Sequence, residues 1–184
     1  DNSVICKQLD GDKNDLPKFT SYMCGANRPG HFSGVFRIVK LLFEIIEPNY
    51  AYFGKKDFQQ LLLVKYIAST YFPKLKIIDV DTVRDSNNIA LSSRLSKVSC
   101  ESIHQVKLIF QTLMTMKKKL LSGLEYNAVK ESSLLDLEDN NISVEYLDLR
   151  RLDTLKEQVN INHPCGIFIA CYIDNIRLID NIEI

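Results

Sequence analysis

The segment Ala51-Tyr-Phe-Gly-Lys-Lys-Asp-Phe-Gln-Gln60 decides the fold of this chain. Residues 49–53 predict a short buried strand, because Pro48 blocks the preceding helix and aromatic side chains favour extended backbone. Residues 57–72 predict a helix that begins directly after the glycine. A strand that turns on glycine into a helix N-terminus brings free backbone N–H groups to the carboxyl edge of a sheet, where open α/β folds hold anionic ligands. The segment therefore predicts an anion-binding turn, to which its two lysines add positive charge.

The same turn also has a purely structural interpretation. Gly54 can simply relieve a tight turn, and Lys55 and Lys56 can be solvated. Asp57 with Gln60 fits a capping box, which stabilises a helix N-terminus without any ligand. Because a single loop glycine is a weak motif, other parts of the chain have to decide between the two interpretations.

The flanking residues predict a strand–helix–strand unit. Lys76-Ile-Ile-Asp-Val80 forms the expected second strand after Pro73 ends the helix, and the crossover between the strands is expected to be right-handed. Upstream, residues 35–47 predict an amphipathic helix. Its expected inward face consists of Val35, Ile38, Val39, Leu42, Ile45 and Ile46.

A second polar loop follows the second strand. It reads Thr82-Val-Arg-Asp-Ser-Asn-Asn-Ile-Ala-Leu-Ser-Ser-Arg94 and ends in two hydroxyls and a guanidinium. These groups could simply decorate a surface turn, yet serine hydroxyls beside an arginine suit phosphate oxygens well. If the loop leaves the same sheet edge as the glycine turn, both loops could share one polyanion.

The remaining chain predicts a different architecture. A long helix from Ser99 to Leu121 ends at Gly123, and a shorter helix covers residues 127–137. Strand-like segments follow at 142–149, 166–173 and 176–182, the last two joined by a two-residue turn. The predicted fold class is α/β. A partial Rossmann-like parallel-sheet nucleotide-binding domain occupies residues 1–80, and a small α+β domain with antiparallel strands, which includes the Leu91–Arg94 loop, occupies residues 81–184.

Composition argues against several kinds of partner, although a local basic pocket remains possible. The 184 residues contain 23 Lys+Arg and 23 Asp+Glu, so the net charge is zero and global electrostatics do not favour nucleic acid or an anionic membrane. Five cysteines without C-x-x-C spacing predict reduced thiols and no metal site. No apolar run is long enough to span a bilayer, and no signal peptide is evident. These features predict a cytoplasmic protein.

Five ordered blocks resemble the pantothenate synthetase (pantoate–β-alanine ligase) family, and together they are far more specific than any one of them. The blocks are Arg28-Pro-Gly-His-Phe-Ser-Gly-Val35, Tyr52-Phe-Gly-Lys-Lys-Asp-Phe-Gln-Gln60, Thr82-Val-Arg84, Ala90-Leu-Ser-Ser-Arg94 and Arg177-Leu-Ile-Asp-Asn-Ile182. The resemblance implies a Rossmann-like domain, a smaller C-terminal domain and a cytosolic homodimer. It also implies a two-step reaction: pantoate attacks the α-phosphorus of ATP with Mg²⁺ assistance, and the amine of β-alanine then displaces AMP to form pantothenate.

The resemblance also assigns roles to individual residues. The implied ATP-binding residues are Gly54, Lys55, Lys56, Asp57, Val83, Leu91, Ser92, Ser93 and Arg94, with Val83 beside the adenine. Gln60 matches a glutamine that binds pantoate. Lys56 and Arg94 are the implied catalytic residues, because a positioned ammonium and guanidinium can neutralise charge that develops on the phosphates.

Some positions depart from the family pattern. Lys55 stands where the family usually has an acidic residue. Asn87-Asn88-Ile89 replaces a commoner Asp-Gly-Leu, and Asn88 tolerates the left-handed backbone nearly as well as glycine. The family's H-x-G-H motif is absent from these residues. The chain thus resembles the C-terminal two-thirds of the enzyme, so we expect it to be inactive alone and to expose the sheet edge beside residues 49–53.

Two other interpretations compete with the ligase. The chain could be a non-catalytic module that binds a nucleotide or mediates dimerisation. It could also belong to a different α/β nucleotidyl-transfer enzyme with another acid substrate, although Gln60 and the block at residues 28–35 argue against that.

Overall fold

The computed structural model describes residues 16–184. The chain divides into two compact units: the first comprises Asp1–Phe53 and Gln59–Asp79, and the second comprises Gly54–Phe58 and Val80–Ile184. Residues 1–15 of the predicted first domain, including Cys6, lie outside the described part. The other four cysteines are free thiols.

Within the described residues, the first unit contains two long helices, the short helix Cys24–Asn27 and two strands. Helix α1 spans His31–Ile46, strand β1 spans Tyr50–Gly54, helix α2 spans Phe58–Tyr71 and strand β2 spans Lys76–Val80. The two strands form a parallel two-stranded sheet, which confirms the predicted strand–helix–strand unit. Within residues 16–184, β1 has β2 as its single neighbouring strand.

The predicted inward face of α1 is wrong. Phe32, Phe36 and Phe43 are the buried residues of this helix, whereas Ile45 and Ile46 are 68% and 63% exposed. Phe43 packs edge-on against two further rings, those of Phe53 and Phe72. The helix carries apolar side chains on both sides, so periodicity alone could not identify the buried one. It also begins four residues earlier than predicted.

Strand β1 is not buried, which corrects the prediction for residues 49–53. Its exposure alternates along the strand, with Tyr50 and Tyr52 being 55% and 68% exposed. Ala51 and Phe53, on the other face, are half-buried. Alternation of this kind is typical of a strand with one covered face.

The second unit is built on an antiparallel sheet. Helix α3 spans Ile103–Leu121 and helix α4 spans Tyr126–Asp139, and strands β3 (Ser143–Arg151), β4 (Cys165–Ile173) and β5 (Ile176–Glu183) form a sheet in the order β3-β4-β5. The helices pack on this sheet through a core that includes Val106, Leu113, Met116, Leu149, Ile167 and Ile169. The α/β fold class is confirmed.

The turns of the second unit agree closely with the sequence. Asp174 and Asn175 join β4 to β5 with φ of 51° and 60°, the left-handed pair that a two-residue hairpin turn requires. Gly123, with φ of 88°, follows the end of α3. The start of α3 differs from the prediction: it lies at Ile103 rather than near Ser99, because the Ser99 hydroxyl accepts the Ser102 N–H and thereby caps a turn that precedes the helix.

Replacing Asp174 with asparagine should lower the melting temperature slightly at pH 7. Hydrogen bonds from the Ser99 N–H and the Ser102 hydroxyl lower the pKa of Asp174, so its contribution to stability is present above the unfolded-state pKa and is lost as the pH falls through the folded-state value. Asparagine keeps the left-handed backbone and isolates the effect of the charge. Thermal unfolding at pH 7 and pH 2.5 measures it, and a difference that persisted unchanged at pH 2.5 would contradict it.

Candidate functional site

The ammonium of Lys56 joins the two loops that the sequence singled out. Lys56 lies in a 3₁₀ turn, Lys55–Asp57, between β1 and α2. Its Nζ donates to the backbone oxygens of Ala90 at 2.9 Å and Leu91 at 3.0 Å. An ammonium has three donors, so among residues 16–184 one N–H of Lys56 has no protein partner and can bind a ligand.

Apolar residues surround the inner side of Lys56. Ile89, Leu95 and Val106 are among the residues that, with Lys56, line a cavity of about 10 Å³, which is at most the size of one water molecule. This burial lowers the pKa of Lys56, and the positive charges of Arg84 and Arg94 act in the same direction, although Asp180 partly opposes them. A partly desolvated cation attracts an anion more strongly than a solvated one.

Lys55 has a different environment from its neighbour. Its Nζ lies 2.9 Å from Asp81 Oδ1 and 3.3 Å from Glu183 Oε1. These carboxylates raise the pKa of Lys55, Asp81 more strongly than Glu183. Lys55 thus forms ion pairs with two carboxylates, whereas the Lys56 ammonium is hydrogen-bonded to two backbone carbonyls.

The backbone at Gly54 and Asp57 argues against the structural interpretation of the turn. Gly54 has φ of −74° and ψ of 137°, which any residue adopts, and no atom lies within 4 Å of where a Cβ would stand. Asp57 is exposed and lies inside the 3₁₀ turn, and its carboxylate caps no backbone N–H among residues 16–184. The predicted capping box is therefore not formed.

The second loop folds back on itself through its backbone. Arg84 and Ala90 form an antiparallel bridge, and the Leu91 N–H donates to Val83 O at 2.9 Å. Asn88 has φ of 63°, which confirms that asparagine supports the turn here. The loop thereby presents the carbonyls of Ala90 and Leu91 to Lys56.

The other predicted residues of this loop face solvent or bind locally. Val83 and Leu91 are 63% and 51% exposed. Ser92 Oγ accepts the Arg94 N–H at 3.0 Å, and Ser93 and Arg94 are exposed. The loop therefore offers an exposed guanidinium and two hydroxyl-bearing residues, which can bind anions.

Gln60 lies in the other unit, in the first turn of α2, and is half-buried. The neighbouring Gln59 is buried, and its Nε2 donates to the oxygens of Phe19 and Tyr22 at 2.8 Å each. Gln59 Oε1 is buried without a partner among the described atoms. Gln59 therefore anchors the segment at residues 19–22, a role that the sequence did not reveal.

A buried network behind Lys56 was also missed. Arg84 makes a two-pronged ion pair with Asp180, at 2.7 and 2.8 Å, and its guanidinium lies 4.2 Å from the centre of the Phe110 ring. The side chain of Asn181 donates to the backbone oxygens of both Lys55 and Lys56. Asp180 and Asn181 both lie in the block at residues 177–182 that resembles the family. This block was the sequence feature that could have pointed to the network.

The carboxylates around Lys56 do not form a metal cage. Both oxygens of Asp180 bind Arg84, and Asp81 and Glu183 bind Lys55. Within residues 16–184 no three His, Cys, Asp or Glu residues cluster in a way that could hold a metal ion. A resident divalent metal therefore does not fit the described residues.

Comparisons by sequence give one consistent result. A family model described as Pantoate-beta-alanine ligase matches residues 11–183. A pantothenate synthetase of Shewanella woodyi is 34% identical over 91% of this chain and 60% of its own length, and one of Leptospira interrogans is 33% identical over 92% and 60%. The chain thus spans about three-fifths of the length of these relatives.

Solved structures agree with the sequence comparisons. A pantothenate synthetase from Thermus thermophilus matches with a TM-score of 0.84 at 31% identity, over 90% of this chain and 60% of that one. A pantoate-beta-alanine ligase from Francisella tularensis, complexed with beta-gamma ATP and beta-alanine, matches with a TM-score of 0.70 at 30% identity, over 90% and 55%. In the part of the chain from residue 16 onward, no helix is long and apolar enough to cross a membrane.

Proposed function

The chain belongs to the pantoate–beta-alanine ligase family, and from this premise we propose that it takes part in the ATP-dependent condensation of pantoate with β-alanine to pantothenate. The carboxylate of pantoate attacks the α-phosphorus of ATP, which forms pantoyl adenylate and releases pyrophosphate. The amine of β-alanine then attacks the acyl carbon, and AMP leaves. The proposal includes a cytoplasmic homodimer, as the resemblance implies.

The observation that supports this proposal most is the contact of Lys56 with the second loop. Its ammonium binds the carbonyls of Ala90 and Leu91, so both predicted nucleotide loops meet at one cation within the second unit. The third donor of Lys56 is suited to a phosphate oxygen, and the exposed Arg94 supplies a second cation nearby. Positioned cations of this kind stabilise charge on a transferring phosphate without covalent catalysis.

The remaining predicted residues have supporting roles in the proposal. Gly54 gives a ligand close access to the turn, because the space at its Cβ position is open. Ser92 and Ser93 offer hydroxyls to phosphate oxygens, Val83 lies beside the adenine, and Lys55 and Asp57 complete the ATP-binding turn. Mg²⁺ enters only as part of the nucleotide substrate, held by phosphate oxygens and water.

Nucleotide binding and AMP release together test the proposal. We expect isothermal titration of this chain with Mg²⁺–ATP to show binding that weakens with salt. We expect no AMP release from the chain alone, and release that requires both pantoate and β-alanine when the chain is joined to the part of the Thermus thermophilus relative that it does not cover. This fusion is called the joined protein below.

The outcomes separate the competing functions. ATP binding without AMP release in either protein would favour the non-catalytic nucleotide-binding or dimerisation module. AMP release with another carboxylic acid in place of pantoate would favour a different nucleotidyl-transfer enzyme. A chain that does not bind ATP at all would contradict the proposed site.

Replacing Gln60 with alanine should weaken pantoate binding by about tenfold, because one hydrogen bond to a charged group is lost. The KM for ATP should stay within about twofold, since the amide is not assigned to the nucleotide. Steady-state kinetics of the joined protein measure both constants. Gln111→Ala, the same change at an exposed position of α3, is the control, and equal weakening of both substrates in Gln60→Ala would contradict the role.

A further inference from the structure

The β5 residues Asp180 and Asn181 have no role in the reaction proposed above, yet their side chains contact both loops at Lys56. They are 5% and 7% exposed. We propose that Asp180 and Asn181 are positioning residues. Through them, β5 holds the Lys56 turn and the loop at residues 82–94 close together, so that the Lys56 ammonium can bind the loop. This role rests on the proposed function, because the two loops that β5 holds are the proposed ATP-binding loops.

Asn181 fixes the turn that carries Lys56. Its Nδ2 donates at 3.0 Å to Lys55 O and at 2.9 Å to Lys56 O. A primary amide nitrogen has two N–H donors, and here both bind successive carbonyls of one turn. Because both partners are acceptors, only the nitrogen of the amide can occupy this place. The side chain thereby sets the direction in which the turn presents Lys56.

Asp180 fixes the second loop through Arg84. The ion pair joins β5 to residue 84, and the same guanidinium donates to Asn88 O at 3.1 Å. Asp180 thus holds the base of the loop and, through Arg84, its left-handed turn. Arg84 also pairs with Ala90 through a β-bridge. Fixing Arg84 therefore also fixes Ala90, whose carbonyl binds Lys56.

Strand β5 therefore holds both sides of the Lys56 hydrogen bonds. Asn181 fixes the turn that carries the donor, and Asp180 fixes the loop that carries the acceptors. If either anchor is lost, the turn and the loop can move apart, and the ammonium no longer has fixed partners. Among the described residues, neither side chain forms a hydrogen bond or an ion pair with the Lys56 ammonium, so the inference assigns their effect on a ligand to the position of Lys56. This distinguishes positioning residues from residues that touch a substrate.

Amide hydrogen exchange of this chain without any nucleotide is the first test. Asn181→Leu keeps a similar volume and removes both donors, and we expect exchange at residues 55–58 to accelerate by about tenfold. Exchange in β3 and β4 should not change. Asn181→Ala, which leaves space instead of strain, is the second variant, and Asn127→Leu on the exposed start of α4 is the control.

Titration with Mg²⁺–ATP is the second test. Asn181→Leu should weaken ATP by about tenfold, and Lys56→Met combined with Asn181→Leu should bind no more weakly than Lys56→Met alone, because coupled residues are not additive. Additive losses would overturn the inference. So would unchanged exchange at residues 55–58, or acceleration spread equally over the sheet. If the unmodified chain does not bind ATP, the proposed function fails, and the exchange experiment still decides this inference.

Discussion

Replacing Lys56 with methionine should lower the rate of adenylate formation in the joined protein by about 10²–10³-fold, the range for loss of one positioned charge or donor at a reacting centre. Methionine keeps the length and apolar stem of lysine, so it fills the space beside Ile89 and Leu95. It removes the hydrogen bonds to Ala90 O and Leu91 O together with the cation itself. The melting temperature should change little, because the loss of the two hydrogen bonds is offset by the removal of a partly desolvated charge, whose burial lowers the pKa of Lys56.

Pantoate-dependent exchange of pyrophosphate into ATP measures this step directly. Lys118→Met, at an exposed position of α3, is the matched control and should leave the rate within about twofold of the unmodified protein. A Lys56→Met protein with unchanged turnover and a normal melting temperature would remove Lys56 from the phosphate site.

Replacing Asp180 with alanine should lower the free energy of unfolding by about 3–5 kcal/mol, the range for breaking one side of a buried ion pair. The side chains of Arg84 and Asp180 are 16% and 4% exposed, so little water can replace the lost carboxylate. The guanidinium would stay buried over Phe110 with its charge uncompensated. Urea unfolding followed by circular dichroism measures the difference.

The double variant Arg84→Met with Asp180→Leu distinguishes two causes of destabilisation. One is the loss of the ion pair, and the other is the buried guanidinium that is left without a counter-charge. Because the double variant removes both charges, it should be less destabilised than Asp180→Ala alone. A loss of stability below about 1 kcal/mol in Asp180→Ala would show that the pair is solvated, like an ordinary surface ion pair.

The elements that local patterns govern were predicted well. Strand β2 has the predicted bounds, Lys76–Val80, because a short apolar run after a proline has few alternatives. The turn at Asp174 and Asn175 and the left-handed Asn88 follow from side chains that tolerate positive φ. These features depend on a few neighbouring residues, which the sequence displays directly.

The environments of the site residues could not be predicted in the same way. Lys55 and Lys56 look alike in sequence, yet one is matched by carboxylates and the other is partly desolvated by apolar neighbours. Which apolar side of α1 is buried depends on the rings of residues 53 and 72, which lie elsewhere in the chain. Tertiary contacts determine which side chains are buried, and local periodicity in the sequence carries no information about those contacts.

The hydrogen bond from Asn181 to Lys56 O closes a loop of 125 residues along the chain. Closing a loop of this length costs conformational entropy, so we expect this contact to form late in folding. Intermediates that lack β5 would carry Lys56 on an unanchored turn and would bind nucleotide poorly. Recovery of nucleotide affinity during refolding should therefore trail the recovery of helical signal, which makes it a sensitive indicator that the last strand has joined the sheet.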